Sequence, residues 1–110
     1  MKKRTIKLIP FHAELNILQG KKEEIEKKYN RVFHNHDAVT FWDDEKSDIY
    51  VWFEKSTPGI VAHESLHVVN ITLGWSGVVA DYENDETQAY LLGYVVNRII
   101  ETIKPLEKEK

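Results

Sequence analysis

The sequence predicts an α+β fold, in which a small antiparallel or mixed sheet packs on a buried helix and on a second, C-terminal helix. Three observations predict it: β-prone runs dominate the first half, two long helical patterns dominate the second half, and 110 residues suit a single domain. Hydrophobic residues make up 42% of the chain and charged residues 30%, an ordinary balance for a globular protein. We therefore expect one domain over residues 1–110, with a frayed, charged tail at about residues 106–110.

The N-terminal segments predict a strand and a solvated helix. Thr5–Phe11 is short and β-branched and is bounded by Pro10, which favours a strand. Glu14–Leu18 is ambiguous between the end of that strand, a turn and a short helix. Gly20 then breaks the chain, and the charged run Lys21–Tyr29 predicts a helix with Glu→Lys pairs four residues apart.

Two further β-prone runs predict a hairpin. Ala38–Trp42 and Asp48–Phe53 are separated by the polar segment Asp43–Ser47. Two short strands joined by a five-residue polar connection are typical of an antiparallel pair.

A strong helix start follows the hairpin. Thr57 can accept hydrogen bonds from the first free amides, and Pro58 sits at a position where its missing N–H is not needed. The helix is predicted to run to about Leu73, with Gly74 ending it.

A second long helix is predicted from near Asp85 to Ile103. Asp85 with Gln88 forms a plausible capping pair, and Pro105 marks the expected end. Its predicted buried stripe consists of Ala89, Leu92, Val96, Ile99, Ile100 and Ile103.

The most informative motif is the HExxH pattern His63–His67, inside the first of these long helices. Residues four apart stack on one helix face with Cβ atoms about 5–6 Å apart, so two imidazoles can bind one zinc ion. Glu64 lies about 100° around the helix from His63. Its carboxylate can therefore reach a zinc-bound water without being a ligand. The pattern predicts a Zn²⁺ site on His63 and His67, with Glu64 as general base.

The surroundings of the motif strengthen that interpretation. Apolar residues flank it on nearly all sides, which predicts that the helix is buried. Two buried imidazoles and a carboxylate are unfavourable unless a metal or hydrogen bonds satisfy them. The alternative is therefore that His63 and His67 are buried histidines hydrogen-bonded to Glu64.

A catalytic zinc site needs a third protein ligand and an open fourth position. The extended pattern HExxHxxGxxH would need Gly and His where the chain has Asn70 and Leu73, which excludes that subclass. A carboxylate on the following segment is the remaining choice. Glu86 is favoured because it lies at the edge of the predicted buried stripe, with Asp85 and Glu83 as competitors.

These residues resemble the zincin metallopeptidases, and more narrowly the minimal gluzincin type, where HExxH is followed by a Glu on the next helix. The positions that match are His63, Glu64, His67 and Glu86. The segment Glu86–Ala89 is similar to the third-ligand helix of small intracellular and phage-encoded members. The resemblance spans about Ala38 to Ile100.

The resemblance implies a zincin-like fold and zinc-dependent hydrolysis of peptide bonds. It also implies that the outer strand of the hairpin, Ala38–Trp42, pairs with an extended peptide or protein substrate. In this reaction Glu64 takes a proton from the attacking water and passes it to the leaving nitrogen. A phenol can assist the developing oxyanion, and Tyr90, one turn beyond Glu86, is the favoured candidate beside Tyr82.

Composition limits the partners. The net charge is −3, from 15 basic and 18 acidic residues, so no positive field favours nucleic acid. No apolar run approaches a membrane span, and we expect a cytoplasmic protein. There is no cysteine, so any zinc is held by His and carboxylate ligands.

The rival interpretation is a non-catalytic protein, such as a phage or mobile-element accessory factor that retains a zincin fold. Its metal or its hydrogen-bonded His–Glu cluster would then be only structural. Closed structural zinc sites usually contain cysteine, which counts against this interpretation. The other histidines, His12, His34 and His36, match no ligand spacing, and the tryptophans are expected in the core or in groove walls.

Overall fold

The computed structural model describes residues 1–108, with side chains described as far as Ile103. Its elements are β1 (Lys2–Lys7), β2 (Glu14–Gln19), α1 (Lys22–Tyr29), β3 (Ala38–Asp43), β4 (Asp48–Phe53), α2 (Pro58–Trp75) and α3 (Glu86–Lys108). The predicted α+β class is confirmed.

The four strands form one mixed sheet in the order β1-β2-β4-β3. β2 pairs with β4 in parallel, and the other two pairs are antiparallel. The predicted hairpin is confirmed as β3 and β4, with Thr40 opposite Val51 and Trp42 opposite Ile49. The ambiguous segment proves to be the strand β2. β1 and β3 are thus the two edges of the sheet.

Each face of the sheet has its own apolar core. Toward α2 and α3 the sheet presents the buried side chains of Leu15, Ile17, Ile49 and Val51. Toward α1 it presents Leu18, Phe41 and Trp52, which pack with Ile25 and Phe33. Burying one such side chain is worth about 1.5–3 kcal/mol, so α2 is held on the sheet by several of these contacts.

The predicted boundaries of the first strand are wrong. β1 ends at Lys7 rather than Phe11, and the chain then turns, with the Leu8 amide donating to the Ala13 carbonyl at 2.9 Å. Pro10 has no N–H to offer a ladder. The observed strand is rich in lysine and arginine, which apolar patterning overlooks but which suit an edge strand.

The helix ends also differ from the prediction. The start of α2 is confirmed, since the Ile60 amide donates to Thr57 Oγ1 at 3.4 Å, but the helix continues through Gly74 to Trp75. α3 does not end before Pro105 but runs to Lys108. A proline removes one intrahelical hydrogen bond without necessarily ending a helix. Of the predicted frayed tail, residues 106–108 belong to α3 and residues 109–110 lie outside the described residues.

The buried stripe of α3 is rotated relative to the prediction. Ile99 and Ile103 are buried as predicted, and Leu92 and Val96 are partly buried. Leu91 and Val95 are buried in addition, whereas Ala89 and Ile100 are exposed. Apolar residues cover more than half of the helix circumference, and packing against the sheet and α2 selects one of two overlapping stripes. In the described part of the chain, no helix is both long and apolar enough to cross a lipid bilayer.

Candidate metal centre

α2 presents two faces of different character. The buried face carries Val61, Glu64, Ser65, Val68, Val69, Thr72 and Leu73. The exposed face carries Ala62, His63, Leu66, His67 and Asn70. The expectation of a helix buried nearly all round is therefore wrong, because Ala62 and Leu66 do not face the core. The two histidines stand at the surface, where a ligand can reach them.

The two imidazoles converge. His63 Nε2 and His67 Nε2 lie 3.2 Å apart, with ring centroids 4.8 Å apart and ring planes at 78°. The side chain of His63 is 68% exposed. Spacing of one helical turn brings the rings to the same spot, as the HExxH pattern predicts.

This separation fits a shared metal ion. Two nitrogens bound tetrahedrally to one zinc at about 2.0–2.1 Å lie roughly 3.3 Å apart. Neutral imidazole nitrogens are common zinc ligands, so the donor chemistry agrees with the distance. A hydrogen bond between the two ring nitrogens fits the same distance. Metal-binding measurements distinguish a shared metal ion from this hydrogen bond.

Glu64 lies beneath the imidazole pair and is held in place. Its side chain is only 8% exposed. Oε1 accepts a hydrogen bond from Thr40 Oγ1 at 2.8 Å, and Oε2 lies 3.6 Å from His63 Nε2. Burial of a carboxylate is unfavourable without a partner, and the Thr40 hydroxyl supplies one. The second oxygen is left beside the two imidazoles.

A cleft of about 560 Å³ opens between β3 and α2, with this group in its wall. β3 lines it with Ala38, Val39, Thr40 and Trp42, of which Ala38, Thr40 and Trp42 share one face of the strand. α2 lines it with the two histidines, Glu64, Asn70 and Ile71, and His36 also contributes to the lining. The cleft is large enough for part of a peptide and is open to solvent.

The structure brings together three of the five predicted site residues. Potential ligand atoms of His63, Glu64 and His67 all lie within 4.8 Å of one another. Glu86 is exposed at the first position of α3 and is not in this group, and Tyr90 is 78% exposed and does not line the cleft. Their predicted roles, as third ligand and as oxyanion donor, stay predictions.

The alternatives to those two residues are also absent from the ligand group and from the cleft lining. Glu83 and Asp85 are exposed, and Tyr82 is 87% exposed with its hydroxyl donating to Glu83 Oε1 at 2.9 Å. Glu86 lies about 140–180° around the helix from the buried Leu91 and Val95, because the buried stripe is rotated.

One contact nevertheless ties the start of α3 to the metal-binding face. Gln88 Nε2 donates to Asn70 Oδ1 at 2.9 Å. The side-chain amide of Gln88 thus bonds across to α2, and the capping pair of Asp85 with Gln88 stays a prediction. Asn70 follows His67 by one turn, and Glu86 precedes Gln88 by a rise of about 3 Å along the axis of α3. The first turn of α3 is thus hydrogen-bonded to the turn of α2 that follows His67.

Sequence reasoning missed two residues of the cleft. Thr40 anchors Glu64, and His36, which matches no ligand spacing, is exposed and lines the cleft. The alternation of Ala38, Thr40 and Trp42 could have shown that they share a face, but it does not say which helix that face meets.

Comparisons with known proteins return no relative: no family model, no curated protein and no solved structure matches the chain. The zincin resemblance accordingly rests on the HExxH residues and on the geometry around them.

Proposed function

We propose that this protein is a zinc-dependent peptide hydrolase of the zincin type, in which His63 and His67 hold Zn²⁺ and Glu64 is the general base. One observation carries the proposal. Two solvent-accessible imidazole nitrogens converge to 3.2 Å beside a buried, anchored carboxylate, in the wall of an open cleft.

The arrangement around Glu64 supports its role as base. When bound at such a site, zinc lowers the pKa of a coordinated water to about 7 and polarises a carbonyl. Glu64 Oε1 is occupied by the Thr40 hydroxyl, so Oε2 is the oxygen that takes the proton from water and delivers it to the leaving nitrogen. Burial fixes the carboxylate in place before substrate binds.

The proposal includes Glu86 as third ligand. The bond between Gln88 and Asn70 places the first turn of α3 beside the turn of α2 that follows His67. The Glu86 side chain is exposed and therefore accessible to an ion. Asp85 and Glu83 are the competing carboxylates.

The sheet edge beside the cleft supports an extended peptide as substrate. β3 is an edge strand, and extended peptides bind such edges by adding a strand. Edge strands that must not pair usually carry charges, above all lysine. β1 carries Lys2, Lys3, Arg4 and Lys7, whereas β3 has no basic residue and only Asp43 at its end.

The zinc content of purified variants tests the proposal. Glu64→Gln is expected to keep one zinc per chain and to lose peptide hydrolysis by about 10²-fold or more, because it removes the base and not a ligand. Glu86→Gln is expected to lose zinc. Glu83→Gln, an exposed carboxylate in the same segment, is the matched control. Equal zinc in all three variants would remove Glu86 as a ligand.

A second candidate has one observation in its favour: Glu64 belongs to the ligand-like group and Glu86 does not. If Glu64 itself is the third ligand, the site has no base, and the protein is a non-catalytic metal-binding or interaction protein. The same variants separate the two functions. In this case Glu64→Gln loses zinc, and Glu86→Gln keeps it.

A further inference from the structure

Thr40 occupies a position that connects the edge strand to the base. It lies in the middle of β3, between Ala38 and Trp42 on the strand face that lines the cleft. Its hydroxyl donates to Glu64 Oε1 at 2.8 Å. The strand with the free edge therefore also holds the carboxylate.

This bond differs from an ordinary contact within the sheet. The chain offers a comparison at the opposite edge, where Thr5 Oγ1 donates to Asn16 Oδ1 at 2.7 Å. That bond joins two neutral side chains of paired strands. Thr40 instead joins a strand to a helix and donates to a carboxylate, and hydrogen bonds to a charged acceptor are roughly twice as strong.

The bond also determines which carboxylate oxygen is available. Glu64 can rotate about its terminal torsion, and such torsions have broad preferences. With Oε1 fixed by Thr40, Oε2 is directed to within 3.6 Å of His63 Nε2. Without the hydroxyl, Oε1 loses the hydrogen bond that holds this orientation.

We propose that Thr40 is a positioning residue, which aligns the Glu64 carboxylate with a peptide bound along β3. The inference rests on the proposed hydrolase function. Because Thr40 belongs to β3, its hydrogen bond couples the position of the Glu64 carboxylate, on α2, to that of the substrate-binding edge. Their relative position is then preserved, and an error of about 1 Å in such a position can lower a rate by about 10²-fold.

Thr40→Val tests the inference, because valine keeps the branched shape and removes the hydroxyl. With a single fluorogenic peptide that the wild type cleaves, we expect kcat to fall by about 10²-fold, while KM changes by less than about threefold. Thr40→Ser retains the hydroxyl and should stay within about threefold of the wild-type kcat. Zinc content should be equal in all variants, since Thr40 is not a ligand.

Thr5→Val is the matched control, because it removes a comparable hydroxyl far from the cleft. Thermal unfolding of all variants identifies any loss of folding, and Thr40→Ala replaces Thr40→Val if valine prevents folding. A Thr40→Val enzyme with the kcat of Thr5→Val would overturn the inference.

Crystal structures of the zinc-loaded variants provide a readout that does not depend on activity. We expect Glu64 to turn away from the imidazole pair in Thr40→Val and to keep its orientation in Thr40→Ser. An unchanged carboxylate in Thr40→Val would contradict the positioning role. If the wild type hydrolyses no peptide, the proposed function fails, and this structural comparison still decides what Thr40 does.

Discussion

Two imidazoles on successive turns of α2 and one anchored carboxylate are the residues on which the proposed chemistry depends. The imidazoles and the carboxylate can have different functions because they differ in solvent exposure. The imidazoles are open to solvent and available to an ion, whereas Glu64 is buried and fixed by Thr40. This contrast suits a metal site with a base that is not itself a ligand.

Zinc should therefore stabilise the folded chain through the histidines. At a concentration one hundred times its dissociation constant, a ligand of the native state adds about 2.7 kcal/mol to the free energy of unfolding. We expect this increase in the wild type and its loss in His67→Ala, measured by thermal unfolding with and without zinc. His12→Ala, an exposed histidine elsewhere, is the control. Equal zinc stabilisation of all three proteins would exclude His67 as ligand.

At the scale of elements, the packing of α3 against α2 and the sheet, rather than its apolar pattern, determines which of its residues are buried. Its buried positions include Leu91 and Val95, and its exposed side includes Ala89 and Tyr90. The sequence alone does not distinguish the two stripes, since both are apolar at helical spacing. With this stripe of α3 buried, Glu86 lies in solvent rather than at the contact between α2 and α3.

Replacing one side chain from each stripe by alanine tests which stripe of α3 is buried. Leu91→Ala removes a buried side chain and should lower the free energy of unfolding by about 2–5 kcal/mol. Ile100→Ala changes a side chain that is 38% exposed and should lower it by about 1 kcal/mol or less. Denaturant unfolding of both variants measures the difference. The opposite ranking would restore the stripe that the sequence predicts.

The tyrosines between α1 and the sheet make stability depend on pH. Burial, followed by the negative charge of Asp48, raises the pKa of Tyr50 and that of Tyr29. The folded protein thus holds these phenol protons more tightly than the unfolded chain does. The resulting stabilisation is complete below the ordinary tyrosine pKa of about 10 and is lost as the pH rises through the raised values.

Tyr50→Phe should weaken this dependence. The Tyr50 ring stacks on Phe41 at 4.9 Å, a contact that phenylalanine retains. We expect the free energy of unfolding of the variant to fall less steeply above about pH 10 than that of the wild type. Tyr82→Phe, at a position 87% exposed, should behave like the wild type. If the free energy of unfolding of Tyr50→Phe falls as steeply with pH as that of the wild type, groups other than Tyr50 cause the pH dependence.

The sequence predicts those features of the fold and of the site that depend on residues close together in the chain. The start of α2, the hairpin and the convergence of His63 with His67 depend on residues within a few positions of one another, and all three predictions are confirmed. The bounds of β1, the buried stripe of α3 and the anchoring of Glu64 depend on which elements meet. Thr40 and Glu64 are 24 positions apart, so no periodicity connects them.

At the scale of the whole molecule, the strand order determines the site. Because β3 is the outer strand and packs beside α2, the HExxH face of the helix opens next to a free sheet edge. A different order would cover the histidines or bury the edge. The peptide substrate and the zincin-like character stay predictions, which depend on whether zinc binds at this place. The cytoplasmic location also stays a prediction.

X-ray absorption spectroscopy at the zinc edge of the zinc-loaded protein tests most directly whether His63 and His67 bind zinc. The predicted spectrum contains two imidazole nitrogens at about 2.0–2.1 Å together with oxygen ligands, and both nitrogens disappear in the double variant His63→Ala, His67→Ala. A wild-type spectrum without imidazole ligands would contradict the account.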